Sequence, residues 1–74
     1  MKTTERLQRC IDLKEAIKSL QIQIDCIEEN KRIIGINFPK LLKKLDHNIE
    51  IKQMAIARLN LIFSRTLNKL NQEQ

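Results

Sequence analysis

The chain contains one glycine and one proline, Gly35 and Pro39, which lie close together near its midpoint. Glycine adopts the left-handed conformation that ends many helices, and proline fits the first turn of a helix but not its interior. The stretches on both sides are rich in Ile, Leu, Lys, Asn and Gln and hold few other turn-forming residues. The sequence therefore predicts two long helices joined by one short connection.

Helix-end signals set the predicted bounds. Thr3 and Thr4 are candidate N-caps of the first helix, and Asn37 is a candidate N-cap of the second. Phe38 precedes proline and is therefore biased away from helical geometry. Two helices joined by so short a connection lie antiparallel, as a helical hairpin. We predict an all-α hairpin in one domain, with these ranges: domain 1–74, helix one 4–34, turn 35–37 and helix two 38–71.

The predicted helix one carries a stripe of apolar residues whose spacing alternates between three and four, here called the seam. This is the a/d spacing of a helix that packs along another helix, as in a coiled coil. The seam consists of Cys10, Leu13, Ile17, Leu20, Ile24 and Ile27. The opposite side is not purely polar, because four residues project there: Ile11, Ile22, Cys26 and Ile33.

The predicted helix two has apolar residues on two opposite sides when it is read at 100° per residue. We expect one side to pack against helix one; it consists of Leu42, Leu45, Ile49, Ile56, Leu59, Phe63, Leu67 and Leu70. The second side consists of Ile51, Met54, Ala55, Leu61 and Ile62. A hairpin offers helix two only one partner, so the second side predicts contact with another molecule.

Antiparallel pairing is consistent with the residue numbers, because facing residues in a hairpin have numbers with a nearly constant sum. If Ile34 faces Pro39, the sum is about 73, and apolar residues face each other in every layer but one. In that layer Leu20 faces Lys52 and Gln53. Two interpretations stay open: the lysine stem packs on the seam with its charge in water, or a polar layer fixes register or oligomeric state.

The small size of the chain predicts a second subunit. A chain of 74 residues buries only about 60–65% of its unfolded surface, and such domains usually add disulfides, a metal or a partner. Cys10 and Cys26 lie roughly 24 Å apart on one helix, beyond the Cα separation of about 7 Å that a disulfide allows. We expect two buried or half-buried thiols in a reducing compartment and a homodimer that forms a four-helix bundle.

The sequence offers little for catalysis or metal binding. His47 is the single histidine, and its neighbours Asp46 and Glu50 do not share its direction on a helix. One histidine and two distant thiols give no chelating spacing, and one glycine gives no phosphate-binding loop. We therefore expect no enzyme activity, no metal, no cofactor and no small-molecule substrate.

Charge is unevenly distributed along the chain. Residues 31–44 contain five bases and no acid, and residues 51–72 contain four bases and no acid. Up to residue 30 the five bases nearly balance the six acids. Bases in succession on one helix are expected where a protein contacts phosphates, but they also occur on ordinary solvated faces. Nucleic-acid binding therefore remains an alternative, in which the phosphate contacts are Lys40, Lys43, Lys44, Arg58, Arg65 and Lys69.

Protein contact is the preferred interpretation, because apolar residues interrupt the basic row and no aromatic residue is placed to stack on bases. We expect a small non-catalytic regulator, adaptor or inhibitor that binds itself and another protein. The expected contact residues on helix two are Ile51, Met54, Arg58, Leu61, Ile62 and Arg65.

Location and origin follow from composition. The N-terminal residues lack the apolar run of a signal peptide, and no segment approaches the ~20 apolar residues of a membrane span. We therefore expect a soluble cytoplasmic protein without membrane attachment. The Lys-, Asn- and Ile-rich composition is typical of AT-rich genes and suggests a phage, a plasmid or a similar mobile element.

Overall fold

The computed structural model describes residues 2–72, which form two long helices joined by a 3-10 turn. Helix α1 spans Lys2–Ile34, the 3-10 turn spans Gly35–Asn37, and helix α2 spans Pro39–Gln72. The helices pack on each other as a rod of 55 × 14 × 13 Å. The predicted all-α hairpin is confirmed. Residues 1, 73 and 74 of the predicted domain lie outside the described residues.

In the connection between the helices, Gly35 and Phe38 adopt the predicted backbone conformations, but the N-cap of α2 is not the predicted residue. Gly35 has a φ of 64°, which only glycine adopts without strain. Phe38 leaves the helical region with φ −131° and ψ 73°, as expected before proline. The Leu42 amide donates a hydrogen bond of 3.0 Å to the Phe38 carbonyl. Phe38 therefore holds the N-cap position, and the assignment of Asn37 as N-cap is wrong because Asn37 belongs to the 3-10 turn.

The first helix begins earlier than predicted. Thr3 and Thr4 lie inside α1 and are not N-caps. Threonine costs at most about 0.7 kcal/mol relative to alanine inside a helix, which does not suffice to stop one. Glu5 lies in the first turn, where its charge favours the positive end of the helix dipole.

The seam of α1 forms the buried side of the hairpin. Ile24 is the most deeply buried of these residues, with 2% of its surface exposed, and Cys10 is also buried. The other seam residues of α1 are half-buried. On α2 the buried apolar residue is Ile49. A single pair of helices thus gives a core only one side chain thick.

One residue predicted to face α1 does not. Leu67 is 37% exposed, whereas its neighbour Thr66 is 8% exposed and takes the inward position. A straight helix read at 3.6 residues per turn places Leu67 inward, but two helices that wind around each other repeat every 3.5 residues. Three residues after Phe63, the heptad spacing reaches Thr66. The Thr66 hydroxyl donates a hydrogen bond of 2.8 Å to the Ile62 carbonyl, which satisfies it in this position.

The two cysteines differ in burial. Cys10 is buried, as predicted, but Cys26 is exposed, so the prediction of a second buried or half-buried thiol is wrong. Cys26 comes two residues after the buried Ile24 and therefore points about 200° away from it. Both thiols are free.

Two side-chain contacts between the helices report their register. Lys31 forms an ion pair with Asp46, and the Lys14 ammonium lies 5.9 Å from the centre of the Phe63 ring. In both pairs the residue numbers add up to 77, about one helical turn from the predicted 73, so the predicted layer in which Leu20 faces Lys52 and Gln53 is wrong by that shift. The direction of the difference fits the 3-10 turn, which prolongs α1 before the chain reverses. Lys52, the predicted polar break in the side of α2 that faces α1, is half-buried. We call this side the seam of α2; its positions are Leu42, Leu45, Ile49, Lys52, Ile56, Leu59, Phe63, Thr66 and Leu70.

The rod exposes more surface than a compact protein of its mass. Its accessible area is 6053 Å² for a mass of 8.8 kDa. A compact monomer of that mass exposes about 4,800 Å². The excess includes large apolar side chains on the outer sides of both helices.

Candidate protein-contact surface

The outer side of α2 presents the predicted contact residues on the middle turns of a continuous helix. We call this surface the α2 patch; it consists of Ile51, Met54, Arg58, Leu61, Ile62 and Arg65. Three of its apolar members are more than half exposed: Ile51, Met54 and Leu61. Each lies between seam positions of the same helix and so points away from α1. The structure gives these side chains no partner within residues 2–72.

A shallow open groove brings part of the patch together. It is lined by Ile51, Met54, Ala55 and Arg58. Ala55 forms its floor, since its side chain is short and half-buried. An apolar groove with a guanidinium at its edge can receive an apolar side chain and hydrogen-bond to a carboxylate beside it.

The other half of the patch is less uniform. Ile62 is half-buried, because it lies next to the seam residue Phe63. Leu61 and Arg65 are exposed but do not line the groove. The structure thus brings Ile51, Met54 and Arg58 together, and it places Leu61, Ile62 and Arg65 one to two turns further along the helix.

All six bases of the nucleic-acid alternative are exposed. Within residues 2–72, no salt bridge joins any of Lys40, Lys43, Lys44, Arg58, Arg65 and Lys69 to an acid. The acids of α2 are Asp46 and Glu50, and Asp46 is paired with Lys31. The outer side of α2 therefore carries a net positive charge that is open to a partner.

The outer side of α1 carries a second exposed apolar surface. We call it the α1 stripe; it consists of Leu7, Ile11, Ile22 and Ile33, and its members are 44–75% exposed. All of these except Leu7 were expected on the outer side of helix one from the sequence. The available signal was the spacing, because Leu7 precedes Ile11 by one helical turn.

The turn end of the rod is a further surface that sequence reasoning missed. Phe38 is 58% exposed there, and Leu41 is exposed next to it. With Pro39 and Lys40 they line a small open groove. The exposure of Phe38 and Leu41 could have been predicted, because both residues precede Leu42, the first residue of α2 that packs against α1. Five consecutive residues, Asn37 to Leu41, line this groove, so it is a local feature of the turn.

Within the described residues, the candidate catalytic side chains are not brought together. His47 is exposed on α2. Among residues 2–72, no three His, Cys, Asp or Glu side chains converge as metal ligands would. In the same part of the chain, neither helix combines the length and the apolar character needed to cross a membrane.

Comparisons with known proteins give no relative from which to transfer a role. The chain matches no protein-family model, no curated protein and no solved structure.

Proposed function

We propose that the protein is a small non-catalytic regulator, adaptor or inhibitor that acts by protein–protein contact through the α2 patch. The observation that carries this proposal is the exposure of Ile51, Met54 and Leu61 beside two arginines that have no ion pair among residues 2–72. Exposed apolar clusters of this kind are typical of interaction sites. Methionine and arginine are also among the residues enriched in protein interfaces.

The chemistry of the patch defines the partner surface it fits. Arg58 borders the groove and Arg65 lies two turns further along, so carboxylates at the rim of the partner would meet both. Ile51 and Met54, which precede Arg58 on the helix, would fill an apolar depression beside these carboxylates. The α2 patch therefore fits an apolar helix face or groove with an acidic rim.

A homodimer forming a four-helix bundle belongs to this proposal as the simplest self-contact. The thin core and the large exposed area support association with a second chain. Light scattering after size exclusion measures it. A monomer that keeps its helical circular dichroism at high micromolar concentration would contradict obligate self-association.

Capture with matched variants tests the contact role. The bait proteins are the wild type, the Ile51→Asp and Leu61→Asp double variant, and Ser64→Asp as a control that adds charge elsewhere on the exposed side of α2. The proposal expects a partner that the wild type and Ser64→Asp retain and the double variant loses. Equal capture by all three baits would count against the α2 patch.

Nucleic-acid binding stays a second candidate, because six exposed bases on one helix have no ion pair in the described residues. Six phosphate contacts predict that the binding constant falls with a log–log salt slope of about −5. Replacing Lys40 and Lys44 by glutamine would make that slope shallower by about 2, because two phosphate contacts are lost. Absence of binding to mixed duplex DNA and structured RNA at about 50 mM salt would exclude this candidate.

A further inference from the structure

The two exposed apolar surfaces of the hairpin lie on opposite edges of the rod. Ile22 is two residues from the buried Ile24 and so points about 200° away from α2. Met54 lies midway between the seam positions Lys52 and Ile56 and points away from α1 in the same manner. The α1 stripe and the α2 patch therefore face in opposite directions. A second hairpin laid on one broad side, as in a four-helix bundle, cannot cover both.

The two edges differ in charge. Within about 60° of the midline of the α1 stripe lie three exposed acids and one base: Glu15, Asp25, Glu29 and Lys18. The same width around the α2 patch contains only bases among its charged residues: Lys40, Lys43, Lys44, Arg58, Arg65 and Lys69. Glu29 pairs with Arg32, and Asp25 accepts a hydrogen bond from Gln21, both at exposed sites. Exposed pairs of this kind are weak and exchange readily for others.

These observations together point to a second copy of this chain as the occupant. We infer that the α2 patch of one chain packs against the α1 stripe of the next, in a head-to-tail contact. The inference rests on the proposed function, because it takes the α2 patch as the contact surface and names what covers it. It differs from the four-helix bundle in using two different surfaces instead of one surface twice.

One register pairs the middle of the α1 stripe with part of the α2 patch. We lay the α2 of one chain antiparallel to the α1 of the next, with residue numbers that sum to 73. Two apolar pairs and two pairs of an acid with a base then face each other: Ile22 with Ile51, Ile11 with Ile62, Glu15 with Arg58, and Glu29 with Lys44. Outside these pairs, Ile33, Met54 and Leu61 face the polar residues Lys40, Ser19 and Asp12. The α1 of the neighbouring chain thus lies antiparallel to α2, as the α1 of the same chain does on the other side of α2.

Alternative self-contacts are less favourable electrostatically. Two α2 patches facing each other bring Arg58, Arg65 and their basic neighbours together, with no acid on either surface. Two α1 stripes facing each other gather acids instead. Like charges that face each other destabilise an interface. The contact between unlike edges avoids both arrangements.

The available area suits a stable contact. The rod is 55 Å long and 13–14 Å wide, so a neighbour along its full length covers on the order of 700 Å² on each chain. A typical specific interface buries about 800 Å² per partner. Because the contact uses two different surfaces, every chain in it keeps one free edge. Assembly then grows with concentration or closes into a ring.

Two matched variants test the inference by complementation. Ile22 and Ile51 have nearly the same exposure, 54% and 52%, and both lie in the middle of a helix. Ile22→Asp blocks the α1 stripe, and Ile51→Asp blocks the α2 patch. Each variant alone is expected to be monomeric by light scattering after size exclusion. Their mixture retains one intact junction and is expected to give a heterodimer of about twice 8.8 kDa.

The controls separate this inference from the proposed function. Ser64→Asp should assemble as the wild type does, and circular dichroism should show all variants equally helical. If Ile22→Asp still self-associates while Ile51→Asp does not, the contact joins two α2 patches; the inference is overturned and the α2 patch keeps its role. If the wild type is monomeric, the inference is overturned, while capture of a different partner still tests the α2 patch.

Charge exchange tests the register. Glu15→Lys in one chain and Arg58→Glu in another should each weaken self-association roughly fivefold. Mixing the two variants restores an ion pair in one junction and leaves the wild-type pair in the other. Recovery of wild-type association supports the antiparallel register. Failure to recover overturns that register.

Discussion

The seam and the outer surfaces are built from the same residue types at similar spacing, yet they differ in burial. Ile24 on the seam is 2% exposed, whereas Ile22, two residues before it on the same helix, is 54% exposed. The spacing of apolar residues therefore identifies an apolar face of a helix, but it does not identify what packs against that face. For the seam the partner is the other helix of the same chain. For the outer surfaces the described residues supply no partner, and contact with another molecule is our proposal.

The continuity of the spacing separates the two cases. On both helices the seam keeps alternating steps of three and four, and only Lys52 and Thr66 break its apolar character on α2. The α2 patch is shorter, and Arg58 and Arg65 interrupt it. A long seam with few polar breaks is typical of permanent packing within a fold. A short apolar patch with charged neighbours is typical of a surface that also exists in water.

The largest expected difference between the two regions is in stability. Ile24→Ala should lower the free energy of unfolding by roughly 3 kcal/mol, because it removes buried methyl groups from a one-layer core. Ile22→Ala should change it by less than about 0.5 kcal/mol. Urea denaturation followed by circular dichroism, at concentrations where the chain is monomeric, measures both. Equal losses for the two variants would mean that the outer side of α1 is buried in solution.

The turn decides which sides of the helices meet, and its substitution tests that role. Gly35→Ala should cost about 1 kcal/mol, because alanine is strained at a φ of 64°. Apart from the two neighbouring residues of the chain, no atom of the described part of the protein lies within 4 Å of the added Cβ, so steric overlap does not add to this cost. Gly35→Asn should cost less, since asparagine tolerates this conformation better. An alanine variant as stable as the wild type in urea denaturation would show that the turn does not hold this conformation.

Substitution of Lys52 tests how much stability the fold loses to a polar residue at a seam position. Lys52→Leu should raise the free energy of unfolding by roughly 1 kcal/mol, because it buries apolar area where a half-buried lysine now lies. Lys44→Leu, on the outer side of α2, is the matched control and should have little effect. A Lys52→Leu variant with a different mass in light scattering would instead favour the interpretation that this layer fixes the oligomeric state.

The smallest expected effect concerns the ion pair between the helices. Asp46→Asn removes the partner of Lys31 at a site where the Asp46 side chain is 57% exposed. The loss should be no more than about 0.5 kcal/mol, and it should shrink at high salt. Glu50→Gln on the same helix, which has no ion pair among the described residues, serves as the control for charge alone. A loss several times larger would place this pair in the core of the fold.

Most of the fold could be predicted from the sequence. The predicted ranges of the helices and the turn differ from the observed ones by at most two residues at each end that the structure describes. The errors occur where tertiary packing decides which residue is buried, or where two neighbouring residues compete for the N-cap position. Thr66 replaces Leu67 because the buried positions of α2 follow heptad spacing, which is the spacing of helices that wind around each other. Phe38 replaces Asn37 as N-cap because a 3-10 turn prolongs α1. The exposure of Cys26 could have been read from its position opposite the seam.

The candidate site could be predicted in composition but not in shape. The six residues of the α2 patch were named from spacing and charge, and the structure places three of them around one groove. That Ile62 is half-buried and that Ala55 forms the groove floor depend on how close α1 lies, which spacing does not report. The partner is not encoded in the spacing of one chain, so the contact role stays a proposal.

By itself the sequence determined two helices and one reversal, because helix propensity is local and the chain has a single glycine–proline pair to interrupt it. The tertiary structure decided which residues of each helix lose contact with water. That outcome depends on the winding and register of two helices, which distribute burial between neighbours such as Thr66 and Leu67. The winding arises only when both seams pack together, since neither helix alone has a reason to depart from 3.6 residues per turn.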